Sequence, residues 1–173
     1  MTSIRPQFDE ELTALQQEVV RMGGLAAEAI QTAIQALVQR DLQLVAKVRE
    51  IENRIDALNL DIENRGLQLL ALQQPMARDL RTIAAILRVI TDIERIGDYS
   101  VDISTQAKAL ADRPLFKPLV DIPRMGEMVQ RMLHDSLKAF VSRDLELAQA
   151  AVVQDDEVDH LYRALHEELE GYI

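Results

Sequence analysis

The chain repeats itself at an offset of 103 residues, and this limits its possible folds more than any other feature. Met22-Gly23 returns as Met125-Gly126, and Ala36 and Val38 return as Ala139 and Val141. The tetrad Arg40-Asp41-Leu42-x-Leu44 returns as Arg143-Asp144-Leu145-x-Leu147, and Asp56-x-Leu58 as Asp159-x-Leu161. A duplicated unit of this kind predicts a pseudo-symmetric body in which each copy covers the apolar face of the other. In the first copy the pattern continues into a third segment, from Pro75 to about Lys108. Its counterpart would begin near residue 178, past Ile173.

Hydrophobic spacing makes every segment helical. Leu12, Leu15, Val19, Met22, Ala26, Ala29, Ala33 and Leu37 recur at intervals of three and four, the signature of one buried stripe. Arg40-Asp41 closes that helix, and Asp41 is suited to cap the next, in which Val48, Ile51, Ile55, Leu58 and Ile62 lead to about Leu72. Pro75 is placed to open a third helix. That helix carries two apolar stripes, Ile86/Val89/Ile93/Ile96/Ile103 and Ile83/Leu87/Ile90/Val101, and is therefore expected inside the bundle rather than on its rim. Three prolines, Pro114, Pro118 and Pro123, mark a linker. A fourth helix should start near Arg124, and a fifth is capped by Asp144. The expected fold is all-α, with two pseudo-symmetric three-helix bundle repeats. The first spans residues 1–112 and the second residues 124–173, joined by a linker at 113–123, and the second lacks its last helix in this chain.

Composition removes several function classes. Nineteen basic residues against 29 acidic give a formal charge of −10, which repels phosphate backbones and argues against nucleic acid as a partner. The absence of cysteine removes disulfides, zinc–thiolate sites, iron–sulfur clusters and thiol catalysis. No apolar run reaches the ~18 residues of a membrane span, and the N-terminus has no hydrophobic signal core, so membrane association is expected only peripherally and through partners. No nucleophile stands beside a base in a triad-like arrangement, and no enzymatic activity is expected.

The chemistry-bearing residues are carboxylates. Glu94 and Asp98 stand four apart on the most apolar helix, on one face and ~6 Å apart along the axis. Two carboxylates in such a row are costly to bury without a cation between them. Asp102 extends the row by a turn, and the second helix offers a matching pair, Glu52 and Asp56, beside Ile51 and Ile55. Antiparallel packing of helices two and three would bring four carboxylates to one site. Oxygen-only ligation favours iron, manganese, magnesium or calcium, and zinc also fits. The second copy keeps half of the set as Asp155 and Asp159. The competing reading makes these ordinary solvated helix carboxylates, neutralised at the surface by Arg54 and Arg95. Glu157-x-x-His160 has the spacing of a di-iron half-site but occurs once. His134, His160 and His166 read as ordinary helix residues, and the Met125/Met128/Met132 row reads as core. Gly97 suits either a close helix approach or a functional role.

The segment Asp92-Ile93-Glu94-Arg95-Ile96-Gly97-Asp98, the upstream Gln74-Pro75-x-Ala77-x-Asp79-Leu80-Arg81 and Met22-Gly23-Gly24 together closely resemble the PhoU family of phosphate-uptake regulators. The resemblance spans essentially the whole chain. It implies a pair of three-helix bundles in a cytoplasmic protein that reaches the membrane through partners and damps phosphate import and phosphate-starvation signalling. The implied partners are the phosphate ABC transporter, through its ATPase subunit, and a sensor histidine kinase, with a homodimer as the expected assembly. Some relatives hold multinuclear iron or zinc clusters on paired acidic motifs. By resemblance Glu94 and Asp98 match one motif, Glu52 and Asp56 the other, and Asp155 and Asp159 half of a second site. The resulting expectation is a negative regulator of phosphate uptake that acts as a metal-binding helical adaptor. An oxygen-ligated metalloenzyme and a metal-free interaction module stand as the alternatives.

Overall fold

A computed structural model of the chain describes residues 6–73, 75–115 and 117–172. The described residues form five helices and no strand: α1 (Pro6–Gln39), α2 (Leu42–Gln73), α3 (Ala77–Leu110), α4 (Asp121–Ser142) and α5 (Leu145–Glu170). The first three make one bundle, α4 lies along α1, and α5 packs on α4.

α3 lies inside the bundle as expected, with Ile83, Ile86, Ile90 and Ile93 in the core, but the helix with most neighbours is α1. Among the described residues, α1 touches α2, α3 and α4, whereas α3 packs only against α1 and α2. Periodicity shows how much of a helix is apolar. Which helix is surrounded depends on how closely neighbours can approach, and the buried face of α1 is built partly from Gly23, Ala26, Ala29, Ala33 and Ala36. Into the core α2 sends Val48, Ile51, Ile55, Ile62 and Leu69, and α3 sends Ile83, Ile86, Ile90 and Ile93. Each such side chain contributes about 1.5–3 kcal/mol on full burial. Towards its C-terminal end α3 becomes small and polar inside. Ser100 and Ser104 are fully buried but donate to the carbonyls of Ile96 and Val101, at 2.9 and 2.8 Å.

Both Arg-Asp corners turn the chain in the same way. Arg40 and Arg143 adopt left-handed backbone conformations, with φ of 58° and 57°. The aspartate that follows each one caps the next helix. Asp41 Oδ1 accepts from the Gln43 N–H at 2.8 Å, and Asp144 Oδ1 accepts from the Glu146 and Leu147 N–H groups at 3.0 Å. Two boundaries differ from expectation. α3 begins at Ala77 with Met76, in extended backbone, as its N-cap, so Pro75 lies just outside the helix. α4 begins at Asp121, three residues before Arg124, because Pro123 falls in the first turn, where no N–H is required.

α5 buries only Ala151 fully, and Val152, Val153 and Tyr162 are exposed on it. Between α3 and α5 runs an apolar groove of about 610 Å³, lined by Ile34, Ile103, Met125, Val158 and Tyr162 among others. Among the described residues, no helix is long and apolar enough to cross a membrane.

Candidate functional site

Gly97 brings α2 and α3 together at the acidic motif. A Cβ at this position would stand 3.1 Å from Ile55 Cδ1 and 3.9 Å from Glu52 Cγ. The Glu52 side chain therefore crosses the α3 backbone at Gly97, in the stretch that carries Glu94 and Asp98. Ile55 and Ile93 anchor the floor of this crossing in the core. The two helices thus hold the acidic residues on one shared rim. Glu52 and Glu94 are half-buried, while Asp56 and Asp98 reach solvent.

Electrostatics links the four residues across the helix pair. Burial pushes the Glu52 carboxyl above its ordinary value, reinforced by the charge of Asp56, a hydrogen bond shared with Asp56, and the charge of Asp98. Burial likewise raises Glu94, followed by the charges of Asp98 and Asp56. The crowding of negative charge from Asp56 and Asp98 around Glu52 disfavours its ionised form. Arg49 and Arg95 oppose these shifts only weakly. Among the described residues, none of the four carboxylates makes an ion pair within 4 Å. The Arg95 guanidinium donates instead to the Tyr99 hydroxyl at 3.5 Å. The arrangement is an acidic rim without a protein counter-ion, and its donor chemistry suits a hard cation. Among the described residues, no three His, Asp or Glu side chains close around a common point where a metal ion could sit as they stand.

The other candidates are placed differently. Asp102 is exposed, one turn beyond Asp98. Asp155 and Asp159 are exposed on α5, and Asp159 pairs with Arg163 at 2.8 Å. Among the described helices there is no counterpart of α3 to face them. Glu157 and His160 are exposed, and His166 stacks on Tyr162 with ring centroids 6.0 Å apart. Met128 is buried and Met125 lines the apolar groove.

Residues 19–107 and 122–172 match the family model of the PhoU domain, one segment in each copy of the repeat. The chain belongs to the PhoU family. A relative from Aquifex aeolicus, described as a phosphate-specific transport system accessory protein PhoU homolog, is 39% identical over 164 residues, which are 95% of this chain and 74% of that protein. A homolog with the same description from Clostridium acetobutylicum is 36% identical over 95% of this chain and 76% of its own length. Among solved structures, PhoU from Pseudomonas aeruginosa superposes with a TM-score of 0.90 at 32% identity, covering 95% of this chain and 79% of that one. The phosphate transport system regulatory protein PhoU from Streptococcus pneumoniae gives 0.88 at 30% identity, covering 96% and 78%. The PhoU fold implied by the resemblance, an all-helical body whose two copies each match the domain, is therefore shown by sequence and structure together.

Sequence reading named the carboxylates and missed a cationic cleft where the start of α3 meets the α4–α5 corner, formed by Arg78, Arg81 and Arg143. Arg143 is distant from the other two in sequence. Only the left-handed turn and the antiparallel course of α4 bring them together.

Proposed function

We propose that the protein is a non-enzymatic accessory regulator of phosphate transport, acting as a helical adaptor whose α2–α3 pair is clamped by metal. The observation that supports the metal part of this reading is the approach of Glu52 to the α3 backbone at Gly97, between Glu94 and Asp98, with electrostatic coupling among these residues and Asp56 and, among the described residues, with no ion pair to any of the four. Glu52, Asp56, Glu94 and Asp98 would hold the ion. Iron or zinc is the preferred occupant by family resemblance, and manganese, magnesium or calcium also suits an oxygen-only donor set. Asp56 and Asp98 are exposed and free to change rotamer, so the rim could close on a cation without movement of either backbone. A bound cation would offset the mutual repulsion and fix the two helices in one register.

The regulatory part rests on the relatives, which are described as accessory proteins of a phosphate-specific transport system. For this chain the proposed partners are the ATPase subunit of a phosphate ABC transporter and a sensor histidine kinase, with net restraint of uptake and of starvation signalling. The test is a pull-down of the ATPase subunit and of the kinase's soluble portion by metal-loaded wild type and by the Glu94→Gln, Asp98→Asn variant. Capture by the wild type and several-fold weaker capture by the variant is the expected result. Equal capture would separate metal from partner binding, and capture by neither would remove the adaptor role.

A further inference from the structure

The start of α3 and the corner after α4 form a second polar site, of opposite charge to the first. A cleft of about 420 Å³ is lined by Arg78 and Arg81 on α3, Arg143 at the α4–α5 corner and Gln16 on α1, with Phe140 and Thr82 beside them. Among the described residues, no acidic side chain lines it. Among the described residues, none of the three guanidinium groups takes part in an ion pair. This contrasts with a formal charge of −10 on the chain, in which Arg21, Arg65 and Arg163 are all spent on carboxylates.

Two features make this a built site rather than a chance gathering of surface arginines. The Thr82 hydroxyl donates to the Arg78 carbonyl at 3.1 Å and accepts from Arg143 Nη2 at 3.2 Å, so it ties the distant arginine to the turn that carries the other two. Arg143 lines the cleft from a left-handed backbone position, which costs a residue with a side chain about 1 kcal/mol or more. Its counterpart in the first copy, Arg40, has the same backbone but spends its guanidinium on the Ala111 carbonyl at 3.4 Å. The corner is common to both copies. The gathering of three cations is described in one.

We propose that this cleft binds a phosphate dianion, either free inorganic phosphate or the terminal monoester of a phosphate-bearing headgroup. Three exposed arginines line this one cleft, and a ligand with a single charge would leave most of their positive charge unmatched. Phosphate carries about −1.5 to −2 at neutral pH and presents several acceptor oxygens to forked donors. The Gln16 amide supplies a neutral donor from α1, and the Phe140 ring keeps one wall poor in water. The proposal is independent of the metal centre.

The test is calorimetric titration of the full chain with inorganic phosphate, after chelator treatment so that no metal-bound phosphate is counted. Wild type should bind one equivalent saturably with a dissociation constant of about 1 mM or tighter. Arg81→Gln and Arg143→Gln should weaken binding at least about tenfold, corresponding to one lost charge-assisted contact. Arg88→Gln, an exposed α3 position outside the cleft, should leave it unchanged. Arg143→Lys keeps the charge without the fork and should fall between, which separates loss of binding from loss of fold. Sedimentation with phosphatidylcholine vesicles, with and without phosphatidic acid, identifies the source: binding only to phosphatidic acid assigns the cleft to a headgroup, and binding of free phosphate assigns it to the ion. Saturable binding of neither, or undiminished binding by Arg81→Gln and Arg143→Gln, would overturn the proposal.

Discussion

The side chain of Leu137 on α4 occupies the space where a Cβ of Gly23 on α1 would stand. Ile34 on α1 does the same to Gly126 on α4. Gly126 and Leu137 are the counterparts of Gly23 and Ile34 at the 103-residue offset, so one lock is made twice, each copy supplying a knob to the hole of the other. The contact explains why the repeat keeps Met-Gly together. The glycine lets the helices approach, and the residue three turns on, which is large in both copies, fills the space.

This lock is testable by a pair of neighbouring glycines. Gly23→Leu should destabilise the fold by about 1–3 kcal/mol through overpacking, lowering the melting temperature by several degrees. Hydrogen exchange should rise first in α4 and α5, which are held to the bundle through α1. Gly24→Ala meets open space and should instead stabilise by about 0.5–1 kcal/mol from helix propensity. Gly23→Ala is expected to be the mildest of the disruptive changes, because the obstructing atom is the tip of a leucine that can rotate. Equal effects at Gly23 and Gly24 would deny the lock.

The acidic rim should make the metal-free protein sensitive to pH. Glu52 and Glu94 have folded-state values raised above 4.5, so the folded protein takes up protons more readily than the unfolded chain. The associated stability is fully present below the ordinary glutamate range and is lost as pH rises through the raised folded-state values. Thermal melts of chelated protein should therefore fall slightly as pH increases from the glutamate range towards neutral. Glu94→Gln should flatten that slope and raise the neutral-pH melting temperature by about 1–2 °C, a small effect because the carboxylates reach water. A lower melting temperature in this variant would mean that Glu94 is paired favourably rather than repelled.

The Arg-Asp corners predict a local effect at the second copy. Asp144 accepts two backbone N–H groups at the start of α5, so Asp144→Ala should cost about 1 kcal/mol and fray that end. Asp41→Ala removes only the Gln43 contact and starts a helix locked into the core by Val48 and Ile51, so it should cost less. Chemical denaturation of both variants gives the comparison.

Much of this organisation was readable from the chain because it rests on short-range rules. Apolar spacing located the helices, and Asp41 and Asp144 announced the helix starts. The positions four apart put Glu52 with Asp56, and Glu94 with Asp98, on single faces, which the short connection at Pro75 then turns towards each other. What could not be read depends on three-dimensional approach. The approach of α4 to α1 depends on Gly23 and Gly126, which periodicity does not distinguish from an ordinary apolar stripe. The arginine cleft depends on a left-handed turn at Arg143 that no local preference for arginine would suggest.

Metal content is the most direct test of the proposed clamp. Chelator-stripped wild type, dialysed against iron or zinc and then against metal-free buffer, should retain at least about one equivalent per chain by elemental analysis and melt several degrees higher than the stripped protein. The Glu94→Gln, Asp98→Asn variant should retain less than a tenth as much and show no metal-dependent rise. Equal metal retention by both proteins, or retention by neither, would contradict the account.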